Sequence, residues 1–502
     1  MKDIEAFEDM VIGMRLNQHG LALDSFYHLA GHDLANKRCH GLACFVARHQ
    51  SPGRWLETTS QSPRVYCLGK CYLGPSSVLD DERPRVEIHS RFPVVLERIA
   101  EGGARSFSTY TGAGGYVALE SALARGPDEL VREVDISGLR GRGGAGFPTG
   151  KKWRAVLAET SPEKFIVANA DEGDPGAYID RFIIEDDPHA LIEGMAIAGY
   201  AAGAGMGYIY LRAEYPRART VLEEAIAEAR LNGVIGNRVL GTDFSFDIEV
   251  VIGHGSYVCG EETALLNSIE GRRPEVRARP PYPTSEGLWG KPTLVNNVET
   301  LASVAWIVHN GGVPYATFGT ATSKGTKVIS LNSLFNRPGL YEIEFGVSLR
   351  HIVEELGGGL KTGSIKGVII GGPLAGVIPP SLLDTPFGFD ELHAIGASVG
   401  HGGVVAFDQH TSIAELMHHV FDFGAFESCG KCTPCRLGSR EIERIFWAAV
   451  ERGHALAGKR VELDEVTTAL ALTSLCGHGS GLAEFARSVF RHYPEELESC
   501  FA

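Results

Sequence analysis

Apolar positions along this chain alternate between two periods. From about residue 125 to 320, short apolar runs recur at Lys164-Phe-Ile-Val-Ala168, Gly207-Tyr-Ile-Tyr-Leu211 and Phe246-Asp-Ile-Glu-Val-Val-Ile252. Between them lie stretches with helical spacing, Ala190 to Ala202 and Ala218 to Leu231. Strands alternating with helices predict an α/β sheet. From 325 to 410 the strands are shorter and glycine is frequent: Lys327 to Leu331, Gly339 to Glu344, Gly367 to Gly372 and Gly403 to Phe407, with one helix at Ser348 to Leu356. That pattern predicts a small α+β domain. From 411 onward, apolar positions on Ile413 to Phe423, Ser439 to Val450 and Leu482 to Arg491 repeat at helical spacing and predict a helical bundle. Residues 1–110 form a first unit, in which Arg64-Val-Tyr-Cys-Leu68 reads as a short strand. The predicted units are thus 1–110, 111–324, 325–410 and 411–502.

Composition narrows the class. The chain has 502 residues, 44% hydrophobic and 22% charged, as an ordinary globular protein does. A formal net charge of −15 argues against nucleic acid, which calls for clustered Lys and Arg. No apolar run approaches the roughly 20 residues of a membrane-spanning helix. The start, Met1-Lys-Asp-Ile-Glu-Ala-Phe-Glu-Asp9, lacks the pattern of a signal peptide. The expectation is a cytoplasmic protein with no membrane insertion. Of ten cysteines, seven fall in closely spaced groups, and Cys259, Cys476 and Cys500 stand apart. In a reducing compartment such groups read as metal ligands.

Cys429, Cys432 and Cys435 form C-x2-C-x2-C, and Cys476 is a natural fourth. Three thiolates on one tight turn can hold three corners of an iron cube. This suits a [4Fe–4S] cluster better than zinc, whose ligands usually come as two separated pairs. Such a cluster moves single electrons.

Four further blocks suggest where those electrons come from. Gly138 to Gly150 holds six glycines in thirteen residues, and Arg140 and Arg142 within it and Lys151 and Lys152 after it add charge. Its backbone N–H groups could cradle a phosphate, or it is a flexible surface loop. A strand ends in Asn169-Ala-Asp-Glu-Gly-Asp174, where the close carboxylates suit a polar heterocycle or a ribose, or form a solvated turn. Gly253 to Thr263 is a glycine turn into a helix, fit for a phosphate or a polar ring edge, although capping alone explains its acidic pair. Asn296-Asn297 offers amide donors and acceptors, or marks a turn.

In this order the blocks resemble the NADH-oxidising flavoprotein subunit of respiratory complex I and its diaphorase relatives in NAD-reducing hydrogenases and NAD-dependent molybdenum formate dehydrogenases. The resemblance covers roughly residues 125–490. It rests on Gly141-Arg-Gly-Gly-Ala-Gly-Phe-Pro-Thr-Gly150, Asn169-Ala-Asp-Glu172, Cys259-Gly-Glu-Glu-Thr263, Asn296-Asn-Val-Glu-Thr300 and Glu427-Ser-Cys-Gly-Lys-Cys432. It implies a Rossmann-like FMN/NAD domain, a small β-grasp-like domain and a C-terminal helical cluster domain. It implies FMN on the glycine loop (Gly141, Arg142, Gly143, Gly144), ringed by Asn169, Asp171, Glu172, Tyr257, Gly260, Glu261, Asn296 and Asn297. Phe147, Lys152, Glu262, Arg279 and Tyr282 match the nucleotide side. Arg279 and Tyr282 stand where Lys and Phe are common, and Asp174 where Glu is usual. Glu262 would favour a free ribose diol over a 2′-phosphate, so NAD is expected.

The N-terminal unit is absent from the complex I flavoprotein. Here Cys39-x4-Cys44 and Cys67-Leu-Gly-Lys-Cys71 resemble the two halves of a thioredoxin-like [2Fe–2S] ferredoxin, although 22 residues separate Cys44 from Cys67, fewer than is usual. A shortened hairpin keeps the cluster, or the unit has lost it and keeps an interaction role. The implied chemistry is hydride transfer between nicotinamide and flavin, with no catalytic side chain, followed by single-electron exchange through the clusters. The expected whole is a soluble NAD-dependent formate dehydrogenase. Its partners would be a molybdenum (or other metal) iron–sulfur subunit and a small [2Fe–2S] thioredoxin-like subunit. A hydrogenase diaphorase and the complex I flavoprotein are the alternatives.

Overall fold

The computed structural model describes residues 26–29, 34, 38–56, 65–452 and 458–501. The chain start and the segment 57–64 between the two N-terminal cysteine pairs lie outside the described residues.

Among the described residues ten strands build two sheets. The first is parallel, in the order β4-β3-β2-β5, from β2 (Phe165–Ala170), β3 (Met206–Leu211), β4 (Asp247–Ile252) and β5 (Thr293–Asn297). Strands β2 to β4 step one way across the sheet, and β5 returns to the other side of β2. This reversal opens a crevice outside the carboxyl ends of β2 and β5, where open α/β sheets take their ligands. The register sets Asn169 beside Asn297 and Ala168 beside Asn296. Helices Pro188–Ala202 and Val298–Asn310 cover the sheet, and the first is buried almost all round.

The second sheet is mixed, in the order β1-β7-β6-β10-β8-β9. It contains β6 (Thr326–Leu331), β7 (Gly339–Glu344), β8 (Ile365–Ile370), β9 (Val377–Ile378) and β10 (Gly403–Asp408). Its edge strand β1 (Arg85–Ile88) comes from the N-terminal stretch and pairs parallel with β7. Glu342 on β7 explains part of this junction. Its buried carboxylate accepts from the backbone N–H groups of Val94, Val95 and Leu96 at 2.8–3.2 Å and from the Thr326 hydroxyl at 2.7 Å. Sequence patterning places β6, β7, β8 and β10 within a residue or two. The helix read at Ser348 to Leu356 is a π-helical turn over His351–Leu356.

The C-terminal helices Ile413–Phe426, Thr433–Arg452, Lys459–Thr473, Gly477–His492 and Pro494–Phe501 form the expected bundle. In the N-terminal stretch, helix Leu42–Val46 follows Cys39. Cys39 forms an isolated parallel bridge to Val65, so the strand expected there is one bridged residue among those described.

The parallel sheet is tied to the mixed one by a buried ion pair of Lys327 with Glu299. The Glu299 Oε1 atom also accepts from Val328 N–H at 2.9 Å. Close backbone contact sets the helix packing. A Cβ added at Gly194 would lie 2.1 Å from the Leu301 carbonyl oxygen of the neighbouring helix. Gly194→Ala must push these helices apart. It is expected to cost about 1–3 kcal/mol and lower the melting temperature by several degrees. An unchanged melting curve would show that the interface yields.

Candidate functional site

The crevice at the carboxyl ends of β2 and β5 continues into two adjoining cavities of about 460 and about 670 Å3. Gly143, Asn169, Gly260, Glu261, Asn297, Cys476 and Gly477 line both. The glycine loop forms one wall and is closed by Gly141 N–H to the Phe147 carbonyl at 2.9 Å. Arg142 anchors it from behind. Its guanidinium is fully buried and donates to the Arg140 and Lys324 carbonyls and the Tyr315 hydroxyl at 2.8–2.9 Å. The loop also meets the mixed sheet directly. Gly144 bridges to Gly400, and a Cβ on Gly400 would fall 2.1 Å from the Gly371 Cα.

Polar side chains of the crevice are held in fixed orientations. Asn169 Nδ2 donates to the Gly260 carbonyl at 2.8 Å, and its Oδ1 accepts from Asp171 N–H. Asn296 Oδ1 accepts from Trp153 Nε1 at 3.0 Å. Asn297 caps helix Val298–Asn310 through Thr300 N–H and donates to Asp180 Oδ2 at 2.6 Å. Tyr257 donates its hydroxyl to Asp174 Oδ1 at 2.7 Å. Glu261 caps helix Glu262–Ile269.

The larger cavity opens at a charged and aromatic mouth. Lys152 Nζ lies 3.0 Å from Glu262 Oε2, and Arg279 pairs with both Glu261 and Glu262. Phe147 and Tyr282 stand 52% and 56% exposed on the same rim. Large aromatic faces left open beside a polar cavity suit a planar ligand.

Two of the expected contact residues stand elsewhere. Arg142 and Glu172 lie behind the wall and do not line either cavity. Glu172 is saturated from within. Its carboxylate accepts from the N–H groups of Ile179, Asp180 and Arg181 at the start of helix Ile179–Asp186, and from the Tyr215 hydroxyl. The other expected residues, Gly141, Gly143, Gly144, Phe147, Lys152, Asn169, Asp171, Asp174, Tyr257, Gly260, Glu261, Glu262, Arg279, Tyr282, Asn296 and Asn297, are brought together on the walls. Unforeseen lining comes from Gly371 and Leu374 after β8, Ser398, Gly400 and His401 before β10, and Ser480 and Glu484 on the helix after Cys476. The glycine runs Gly371-Gly372 and Gly400-x-Gly402-Gly403 beside strand ends were the only sequence signal.

Cys429, Cys432 and Cys435 occupy the turn into helix Thr433–Arg452, and Cys476 is the N-cap of helix Gly477–His492. Cys435 thus lies in the first turn of one helix and Cys476 at the start of another, within electrostatic reach of Cys429, Cys432 and Cys435, and a helix N-terminus suits a thiolate. The Ser428 hydroxyl lies 3.2 Å from Cys435 Sγ. These donors fit a cube-shaped cluster. Cys39, Cys44, Cys67 and Cys71 converge as well, all at most 1% exposed, with the Cys67 and Cys71 sulfurs 3.5 Å apart. Gly41 and Gly69 N–H groups each point at a cysteine sulfur at 3.4 Å, contacts that would stabilise a thiolate.

A profile of the Nuo51 FMN-binding domain matches residues 134–306, and one of the NADH-ubiquinone oxidoreductase-F iron-sulfur binding region matches 415–500. The chain is therefore an iron–sulfur flavoprotein, with an FMN-binding domain followed by a [4Fe–4S]-binding region. It is 43% identical to the F 2 subunit of NADH-quinone oxidoreductase in Rhizobium meliloti (strain 1021), over 81% of this chain and 96% of the relative. It is 42% identical to the HndC subunit of the NADP-reducing hydrogenase in Solidesulfovibrio fructosivorans, over 78% of this chain and 80% of the relative. A crystal structure of an NAD+-reducing [NiFe]-hydrogenase in the H2-reduced state superposes with a TM-score of 0.81 and 29% identity. That match covers 99% of this chain and 90% of the other. The chain belongs to the family of NADH-quinone oxidoreductase F subunits and their hydrogenase diaphorase relatives. The family expected from the motifs and the mixed α/β fold are both borne out.

Burial raises the Asp171 carboxyl from 3.8 to about 8, against the pull of Arg212. A carboxyl whose pKa rises on folding supports the folded state less as pH climbs between those values. Asp171→Asn is therefore expected to raise the melting temperature of flavin-free protein. The gain should grow from about pH 5 to pH 8 and level off above. A gain independent of pH would rule out this origin.

Proposed function

We propose that FMN lies across the junction of the two cavities and that NAD(H) enters by the aromatic mouth. Gly141, Gly143 and Gly144 would carry the flavin phosphate. Asn169, Asp171, Gly260, Glu261, Asn296 and Asn297 would meet the flavin's polar edges. Phe147 and Tyr282 would receive the adenine, and Lys152, Glu262 and Arg279 the phosphates and ribose. Asp174, oriented by Tyr257, would meet the nicotinamide end. Arg142 and Glu172 act one layer back, holding the loop and the start of helix Ile179–Asp186. FMN, when bound, supplies hydride exchange with the nucleotide and stepwise electron exchange with a metal centre. The protein supplies orientation and exclusion of water.

The observation that carries this reading is the position of Cys476. With Gly477 it walls both cavities, so one corner of a cluster on Cys429, Cys432, Cys435 and Cys476 would abut the flavin. We further propose that Cys39, Cys44, Cys67 and Cys71 hold a [2Fe–2S] cluster. Their loops pack against the acidic strand end. A Cβ on Gly41 would lie 2.9 Å from Pro175, and Arg212 bridges the Cys67 and Glu172 carbonyls.

The whole is proposed as the diaphorase subunit of a multi-subunit cytoplasmic oxidoreductase. We assign its substrate-converting partner, on the motif resemblance, to a molybdenum formate dehydrogenase subunit, with a small [2Fe–2S] thioredoxin-like subunit beside it. A nickel–iron hydrogenase is the second reading, favoured by the hydrogenase structure that superposes over 99% of this chain. Among the described residues no helix is long and apolar enough to cross a membrane.

Metal content of the complex, purified anaerobically through this chain, separates these readings. Molybdenum or tungsten beside iron is expected, and nickel would replace the first reading by the second. Glu262→Gln should remove the repulsion of a 2′-phosphate and raise the NADPH:NADH ratio of kcat/KM about tenfold, or ~1.4 kcal/mol. An unaltered ratio would remove Glu262 from nucleotide selection.

A further inference from the structure

His401 lines the smaller cavity next to Gly400, yet it is only 7% exposed. Its Nε2 lies 2.8 Å from Asp180 Oδ2 and 3.4 Å from Glu172 Oε1. Both acids are buried. These three side chains could in principle hold a metal ion, since their ligand atoms lie within 4.8 Å of one another. Glu172 argues against that use, because both its oxygens already accept N–H and O–H donors that would point at a cation. Asp180 has one oxygen bound by Asn297 and facing His401, and its other oxygen has no hydrogen-bond partner. With the imidazole protonated, the arrangement is an ion pair with buried carboxylates.

Burial works against that proton, but Asp180 and then Glu172 outweigh it and raise His401 to about 9. Lys327 on β6 pushes the other way. Asp174, also on the cavity wall, feels the His401 charge in turn. In a site withdrawn from water such a charge acts at far greater strength than in solvent.

We propose that His401 is a positioning residue of this pocket, a fixed cation that raises the reduction potential of the bound flavin. The proposal rests on the reading that FMN occupies the cavities. A hydride brings two electrons and one proton, so the flavin gains one negative charge until a second proton arrives from water. A cation on the wall stabilises that charge. Its clamp by Asp180, which also holds the flavin-facing Asn297, fixes where it acts.

The test uses the full chain, purified anaerobically with its clusters, as wild type, His401→Gln and His401→Lys. Flavin content and fluorescence titration with FMN come first. A wild type that takes up no FMN overturns the flavin reading and this proposal with it. Midpoint potentials of the bound flavin are then measured from pH 6 to pH 10. At pH 7 His401→Gln is expected to lie below wild type with flavin content unchanged. Above about pH 9 wild type should fall toward the Gln variant, while His401→Lys, still charged, keeps the higher potential. A Gln variant that binds flavin at the wild-type potential overturns the proposal. So does a Lys variant whose potential stays level with wild type above about pH 9 instead of standing above it, which decides the matter even if loss of the ion pair unfolds the Gln variant.

Discussion

The site exists because polypeptide backbones meet there without side chains between them. Gly144 of the glycine loop touches Gly400 before β10, Gly400 touches Gly371 after β8, and a Cβ on Gly371 or Gly400 would overlap the facing backbone. The parallel sheet supplies the crevice and the mixed sheet supplies its far wall. This contact decides how far apart they stand. A wall made of backbone is stiffer than one made of rotatable side chains, so the cavity is shaped before any ligand arrives.

Buried charges fix what the glycines bring together. Arg142, Lys327 with Glu299, Glu342, and Arg212 with the Cys67 carbonyl sit where segments distant in sequence meet, and each finds a partner there. Removing one partner from such a set leaves a buried charge uncompensated, which typically costs about 3–5 kcal/mol. The charges therefore penalise any other docking of the units, whatever they add to stability. The mouth of the larger cavity is different. There Lys152, Arg279, Glu261 and Glu262 neutralise one another near solvent, where pairs can exchange partners at small cost.

Much of this was legible in the sequence, for a physical reason. Strand ends, glycine turns and cysteine spacing are local, and the parallel register then brings Asn169 and Asn297 side by side without further information. Arg142 and Glu172 stand behind the wall, which a motif cannot foretell, because it gives a residue's neighbours in sequence and not the side of the loop its side chain takes. Arg142 turned inward to the Lys324 carbonyl, a partner 182 residues away. His401, Gly371 and Ser398 were missed because they reach the pocket only through docking of the second sheet. β1 likewise joins β7 across some 250 residues, which no short pattern could reveal.

Cys476 belongs at once to the iron–sulfur binding region, to the cap of helix Gly477–His492 and to the walls of both cavities. Metal ligation and folding share one free energy where ligands come from separate segments. If the cluster forms on these cysteines, its assembly also finishes the flavin pocket. Cluster assembly and flavin binding then favour each other, whichever comes first. A chain lacking the cluster would then hold flavin more loosely, and by the same coupling a chain lacking flavin would hold its cluster more loosely.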